Sequence, residues 1–446
     1  MSLKKATLFT FSNYISLFSA LFQGLITAAI LSTESMGSYS QIRITVSYMM
    51  FLNPGIINGL TMVMPGENHA ERQSFASAAL TFSFLLSLFS ITWIFPAYIF
   101  TKNYLWLYAG GVFAFSSAKE TLAFSLRSME MFGRYSAINA VSALSQALLT
   151  IFFAWIWGLK GALFGLLSSS ALSLLFSVLM TPFPLEIKII PSKLRILFAR
   201  GKTIYINGAY SLILSTFERF FLSFAVEKSL FAVYSVGAFF LSFFDMLSTS
   251  MTQYLTPKMV RERESFDQNR MRGAVRMVLF SSSLLMILSM VMLKYLVPLF
   301  LAKYSQSVKI ASVLAVTSLY QIYFGIMYAK YLSENKLARY FPIQTVGAAI
   351  TALSVILFFF SGKKNDLMLF SYMILSVRTV YFLSAVLYFR RTMKINLASL
   401  GSFSFLAVCA LLFIALPHLN KGWTAILCLL ASLPPLFVTA RFLKWI

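Results

Sequence analysis

The sequence predicts an all-α integral membrane protein of about fourteen transmembrane helices, built as two six-helix lobes related by a pseudo-twofold axis plus a C-terminal helix pair. Three observations lead there. Of 446 residues, 59% are hydrophobic and only 11% charged, with mean hydropathy +0.78, whereas soluble domains carry about 25% charged residues. Apolar stretches near the roughly 20 residues that cross a bilayer recur along the chain, joined by short connections that leave no room for a soluble domain. A sequence pattern also repeats in the two halves.

The spans lie near 8–31, 38–64, 74–100, 105–127, 135–158, 161–182, 204–225, 230–254, 277–301, 308–329, 341–361, 366–389, 395–417 and 422–442. The first is too long for a signal-peptide core and is followed by many more, so it is expected to be retained. The second contains Asn53-Pro54-Gly55 and then Asn58-Gly59, where proline removes a backbone hydrogen bond and glycine loosens the helix. A kink is expected there, and Asn53 and Asn58 could then meet sugar hydroxyls; helix packing alone also explains the segment. Between spans six and seven, Pro191–Phe198 reads as a short amphipathic helix lying in the membrane interface, an anchor or a coupling element. Trp93, Tyr104, Trp106, Trp155, Trp157 and Trp423 fall near outer span ends, an aromatic belt.

The repeat aligns residues 132–143 with 337–348. Arg134/Arg339, Tyr135/Tyr340, Ile138/Ile343, Val141/Val346 and Ala143/Ala348 are identical, and Asn139 faces Gln344. A weaker echo pairs Tyr39-Ser40 with Tyr234-Ser235. Six spans separate equivalent positions, an even number that preserves orientation, so the repeat is parallel about an axis along the membrane normal. The expected organisation is 1–182 for the first lobe, 183–391 for the second and 392–446 for the extra pair.

The net charge of +23 does not indicate nucleic acid, because of where it sits. With the N-terminus in the cytoplasm, that side holds 24 Lys/Arg and the opposite side 8. This is the positive-inside pattern, with both termini cytoplasmic. The clusters 188–202 and 258–276 then face anionic lipid headgroups. Cys409 and Cys428 stand singly, and His69 and His418 lie in loops, so neither a disulfide framework nor a metal site is expected. No cofactor is implied.

Eight ionisable residues sit inside apolar spans: Arg43, Lys119, Glu120, Glu218, Arg219, Asp245, Lys294 and Arg378. A charge at mid-bilayer costs about 2.5–3.5 kcal/mol on insertion scales, so eight of them call for partners or a hydrated interior. Arg43, Arg219 and Lys294 lie toward outer halves of their spans, where long basic side chains can snorkel. Arg378, Asp245, Lys119 and Glu120 lie deeper and favour a cavity. Lys119 and Glu120 are adjacent, so they leave the helix about 100° apart and are not expected to pair; cross-lobe pairs such as Glu120 with Arg378 are open. Five bases against three acids favour an anion such as a diphosphate. The acids Glu120, Glu218 and Asp245 offer ion coupling or plain charge pairing.

Glu34-Ser35-Met36-Gly37-Ser38-Tyr39, Phe132-Gly133-Arg134-Tyr135, Phe217-Glu218-Arg219-Phe220, Tyr234-Ser235 and Leu255-Thr256-Pro257 together resemble the polysaccharide and O-antigen flippases of the multidrug/oligosaccharidyl-lipid/polysaccharide exporter superfamily. The likeness is diffuse and covers most of the chain. Glu218-Arg219 stands where family members commonly carry Asp-Arg, which keeps the acid–base pair. The resemblance implies alternating access around a cationic cavity, use of an ion gradient, and an undecaprenyl-diphosphate-linked oligosaccharide as cargo in a bacterial inner membrane. It further implies contact with membrane lipids, polysaccharide polymerase and chain-length regulator proteins. Spans thirteen and fourteen would shape a groove for the prenyl tail or pack peripherally. A multidrug exporter of the same architecture is the alternative, disfavoured by the basic interior because its cargo is often cationic. A polymerase or ligase is disfavoured by outer loops of only a few residues.

Overall fold

A computed structural model describes residues 3–184, 186–241, 273, 290, 291, 293–334, 336–363 and 365–393. Asp245, the Leu255-Thr256-Pro257 turn, the basic stretch 258–276 apart from Gly273, and the last two expected spans with Cys409, Cys428, His418 and Trp423 lie outside the described residues. Among the described residues the secondary structure is helical throughout, with no strand. Five of the described helices are long and apolar enough to cross a membrane. The chain is an all-α membrane protein.

The helices follow the apolar stretches: α1 (Leu3–Ile30), α2 (Thr33–Met49), α3 (Ile56–Val63), α4 (His69–Thr101), α5 (Leu105–Ser128), α6 (Phe132–Met180), α7 (Pro191–Ala225), α8 (Lys228–Leu241), α9 (Ser305–Ser333), α10 (Phe341–Phe360) and α11 (Leu367–Met393). Their starts obey local capping chemistry. Ser32 accepts the Ser35 N–H at the head of α2, and Asn68 accepts the Glu71 N–H at the head of α4.

The chain forms two compact units. The first comprises Met1–Leu212 with Glu227–Ala232, and the second Ile213–Val226 with Val233–Ile446. In the first, α1 and α5 pack on α6, α4 packs on α5, and α2 and α3 lie against α5. In the second, α9 and α10 both pack on α11. There the aromatic rings of α9 stack on those of α11: Tyr320 on Phe382 at 4.5 Å and Phe324 on Tyr381 at 4.7 Å between centroids.

The second expected span is broken, as its sequence requires. Helix α2 tightens into one 3₁₀ turn at Met50–Leu52, and Asn53 becomes extended ahead of Pro54. Gly55 takes a left-handed φ of +83°, and α3 restarts at Ile56. Spans five and six form one tight hairpin within α6, turned at Gly158 (φ 58°, ψ −133°). Their arms touch backbone to backbone: a Cβ on Gly161 would sit 1.8 Å from the Phe153 carbonyl oxygen, and one on Gly165 2.5 Å from that of Leu149. Glycine spaced four apart is the usual route to such close approach.

The short interfacial helix expected at Pro191–Phe198 is instead the first part of a continuous α7. Nothing after Phe198 stops it, because Gly201 stays helical and serves as a contact point. Leu197, fully buried, joins Ile56, Leu60, Phe75 and Phe183 in one apolar cluster. Lys193 pairs with Glu71 and lies 4.4 Å over the Phe75 ring. Exposed Trp93, Trp155 and Trp157 agree with the aromatic-belt reading.

Part of the repeat is matched in burial. Tyr135 and Tyr340, Ile138 and Ile343, and Tyr39 and Tyr234 are all buried in their own units. Arg134 donates to the Met180 carbonyl, and the Arg339 carbonyl accepts the Tyr388 hydroxyl.

The α3–α7 contact has no space for a side chain, since a Cβ on Gly201 would lie 2.1 Å from the Gly55 carbonyl oxygen. Gly201→Val is expected to destabilise the protein by about 1–3 kcal/mol or more and to lower its melting temperature in detergent. A variant that melts with the parent would contradict this packing.

Candidate functional site

A cavity of about 250 Å³ opens within the first unit, among α2, α5 and α6. Its lining brings together three of the ionisable residues singled out from sequence: Arg43, Lys119 and Glu120. Around them stand Ser47, Ser116, Ser142, Gln146, Ser169, Ser170 and Ser173, with Val46, Met50, Val112 and Leu166 as apolar wall. The pocket is therefore polar inside an apolar bundle, the combination that a buried charge demands.

Each charge is placed by its helix. Arg43, on α2, is half-buried, with its guanidinium 5.9 Å from the centre of the Tyr39 ring. Tyr39 is itself fully buried and accepts a hydrogen bond from Gln23 of α1 at 2.8 Å, which holds α2 against α1. Lys119 and Glu120 share α5 and form an ion pair of 2.5 Å, the lysine side chain 12% and the glutamate 31% exposed. This overturns the expectation from their angular separation. The Lys119 stem is long enough to fold back across the helix surface, and in an apolar span no better-hydrated partner competes. Among the lining residues the bases Arg43 and Lys119 stand against the single acid Glu120.

Serine dominates the remainder of the wall, and sequence reasoning passed over it. Its trace was present: Ser169, Ser173 and Ser177 recur every four residues along one face of an apolar span. Ser169 and Ser173 are nearly fully buried, while Ser116 and Ser170 are half-buried and bonded to each other at 3.4 Å.

Other expected site residues lie elsewhere. Asn53 is buried, and its Oδ1 accepts the Ile56 N–H at 3.1 Å, so it caps α3 at the break. Asn58 is half-buried on α3, where its carbonyl accepts the Thr61 hydroxyl. Lys294 is half-buried in the helical segment 293–300. Arg219 donates from Nη2 to the Ser215 carbonyl one turn back on α7.

The second unit holds a different kind of charge cluster. Arg378 of α11 donates to Glu218 Oε1 of α7 at 2.8 Å, to Thr317 Oγ1 of α9 at 2.9 Å and to the Leu214 carbonyl at 3.1 Å. Arg378 is 9% and Glu218 3% exposed. Glu120 and Arg378 thus each find a partner inside their own unit, the first Lys119 and the second Glu218. The cluster is electrically neutral and ties three helices together. Among the described residues no group of His, Cys, Asp and Glu could hold a metal ion.

This arrangement separates a structural ion pair from a site. Breaking a buried pair on one side leaves an uncompensated charge and costs about 3–5 kcal/mol, whereas replacing both partners by apolar groups is often neutral. Arg378→Ala is therefore expected to lower the melting temperature sharply, and Arg378→Met combined with Glu218→Leu to recover most of it. An Arg378→Ala protein as stable as the parent would show that the pair does not hold α7 and α11.

Comparison with known proteins bears on the fold. No family model and no curated relative matches the chain. Solved structures do match: the lipid II flippase MurJ in an inward closed conformation superposes with a TM-score of 0.71 at 14% identity, covering 98% of this chain and 99% of that one. A multidrug resistance MATE family transporter of the MOP superfamily, inward-facing, gives 0.60 at 13% identity over 85% of this chain and 96% of that one. An outward-facing conformation from the same family gives 0.55 at 14% identity over 87% and 94%. The chain has the fold of these membrane transporters.

Proposed function

We propose that this chain is a lipid flippase that moves an undecaprenyl-diphosphate-linked oligosaccharide from the cytoplasmic to the outer leaflet of a bacterial inner membrane. The observation that carries this reading is the polar pocket of the first unit, where two bases, Arg43 and Lys119, share one cavity with Glu120 and a set of serines. A base in a low-dielectric pocket attracts an anion, and guanidinium suits phosphate by its forked donors. The fold shared with a lipid II flippase supports a lipid-linked cargo. Physics supports it too: a diphosphate and its sugars cannot cross hydrocarbon unaided, while the prenyl tail can remain among acyl chains.

In this reading the positive-inside charge distribution places both termini in the cytoplasm. Lys119 assists Arg43 at the anion, and Glu120 limits how tightly the anion is held. Glu218 and Arg378 maintain the second unit. Ion-gradient coupling, with Asp245 among its candidate carriers, and cooperation with a polymerase and a chain-length regulator belong to the same proposal.

The multidrug-exporter reading draws support from the MATE-family neighbours. Two bases in the lining oppose it, since cationic drugs meet Arg43 and Lys119 on entry. Losing a charge-assisted hydrogen bond costs about 1.5–3 kcal/mol, so Arg43→Gln is expected to weaken binding of undecaprenyl diphosphate by about 10–100-fold. The variant should insert at normal levels and fail to display surface polysaccharide. Full display by Arg43→Gln, or a deletion that alters drug sensitivity and leaves glycans intact, would remove the flippase reading.

A further inference from the structure

The same pocket divides its hydrogen-bonding work in a way that identifies which part of a cargo each wall can hold. Four of its serine hydroxyls spend their single proton on the helix backbone, while Ser116 donates to the Ser170 hydroxyl and leaves that oxygen one further acceptor position. Ser169 and Ser170 both donate to the Leu166 carbonyl at 2.9 Å, Ser173 donates to the Ser169 carbonyl at 2.6 Å, and Ser47 donates to the Arg43 carbonyl at 3.0 Å. A hydroxyl has one donor and two acceptor positions. With the proton directed to the backbone, these serines offer a ligand only lone pairs.

An ionised phosphate carries acceptors alone and gains nothing from such a wall. A sugar ring is the opposite, with several hydroxyl donors on a neutral frame. An ammonium cation would also bring donors, but the two bases of the pocket oppose its entry. The donors that a phosphate needs are supplied on the other side by Arg43 and Lys119. Size agrees with this division. At about 250 Å³ the cavity falls below the roughly 300–1,000 Å³ of sites that enclose drug-sized ligands. It has room for about one sugar ring next to a phosphate and not for an oligosaccharide.

We infer that the serine wall of the second α6 arm, with Ser170 and Ser173 at its centre, is a sugar-hydroxyl subsite that reads the saccharide residue attached to the diphosphate. This rests on the flippase reading and adds a specificity determinant to it: the arginine selects for phosphate, and the serines select for hydroxyl donors on the ring beside it. Removing acceptors from the wall should then change affinity for sugar-bearing lipid and leave the bare lipid diphosphate alone.

The experiment uses the full chain purified in detergent and two probes: undecaprenyl diphosphate, and lipid-linked oligosaccharide extracted from cells that lack this protein. Alanine favours helix more than serine does, so the double variant Ser170→Ala/Ser173→Ala is expected to fold and melt close to the parent. Its affinity for the sugar-bearing lipid should fall about tenfold, the loss of one to two net hydrogen bonds, while that for undecaprenyl diphosphate stays within about twofold. Arg43→Gln should weaken both. Parent-like affinity of the double variant for the sugar-bearing lipid overturns the subsite, as does an equal loss on both lipids. If the parent binds neither lipid, the flippase reading itself falls, an outcome distinct from the other two.

Discussion

An ion inside an apolar helix bundle has to be answered by another charge or by a polar hollow, and the two units of this chain use these answers differently. In the second unit the answer is an ion pair between helices. Arg378 is held by Glu218, Thr317 and the Leu214 carbonyl, so the guanidinium has become a tie between α7, α9 and α11. In the first unit the charges line a hollow. Arg43, Lys119 and Glu120 surround a cavity with serines around it, and Lys119 pairs with Glu120. On the flippase reading, the ion pair that joins helices maintains the fold, and the cavity with its charged lining is where a cargo enters.

Backbone features supply the cavity. Helix α2 carries Arg43 to the cavity, and its span is cut short at Asn53-Pro54-Gly55 before resuming as α3. Gly55, Gly59 and Gly201 then let α3 and α7 meet at backbone distance, and Leu197 closes the apolar cluster behind them. The hairpin of α6 brings its serine arm beside the first arm through Gly161 and Gly165. Glycine at these positions is needed for proximity, and at Gly55 and Gly158 for backbone angles that other residues adopt with difficulty as well. Polar lining residues so widely separated in sequence as Arg43, Lys119 and Ser170 share one wall because these close approaches exist.

The architecture was largely legible from the sequence, because hydropathy over 20-residue windows reports a property of whole helices. The described helices fall on the expected spans, the break in the second lies on its proline, and the Arg-Tyr repeat marks buried tyrosines in both units. The charge pairing was not legible, because it depends on side-chain reach and on which helices become neighbours. Lys119 and Glu120 diverge at the backbone yet pair at the tips. Arg378 and Glu218 are 160 positions apart, and no local pattern announces their contact. Continuity of α7 was missed for a third reason: the basic, amphipathic stretch Pro191–Phe198 reads differently from the apolar span that starts near 204, yet one helix runs through both, and at Gly201 the missing side chain is what the neighbouring helix requires. The serine wall escaped notice because serines in membrane helices usually bond their own backbone, and these do so too. Their acceptors matter only once a cavity is seen beside them.

A carrier of anions faces a constraint that a receptor does not, since whatever enters must leave on the other side. In a low-dielectric pocket each uncompensated base deepens the well for a diphosphate, and a wall of free arginines and lysines would hold it. Conduction and transport need binding favourable enough for entry and weak enough for exit. Pairing Lys119 with Glu120 reduces the field in the pocket without removing the lysine donor from it. Serine acceptors suit the same end, because neutral hydrogen bonds contribute about 0.5–1.5 kcal/mol each and are readily exchanged for water. On the flippase reading, selectivity is thus distributed over several weak, replaceable contacts around one strong one. That is the arrangement expected of a site that must recognise a charged headgroup and release it within the same cycle.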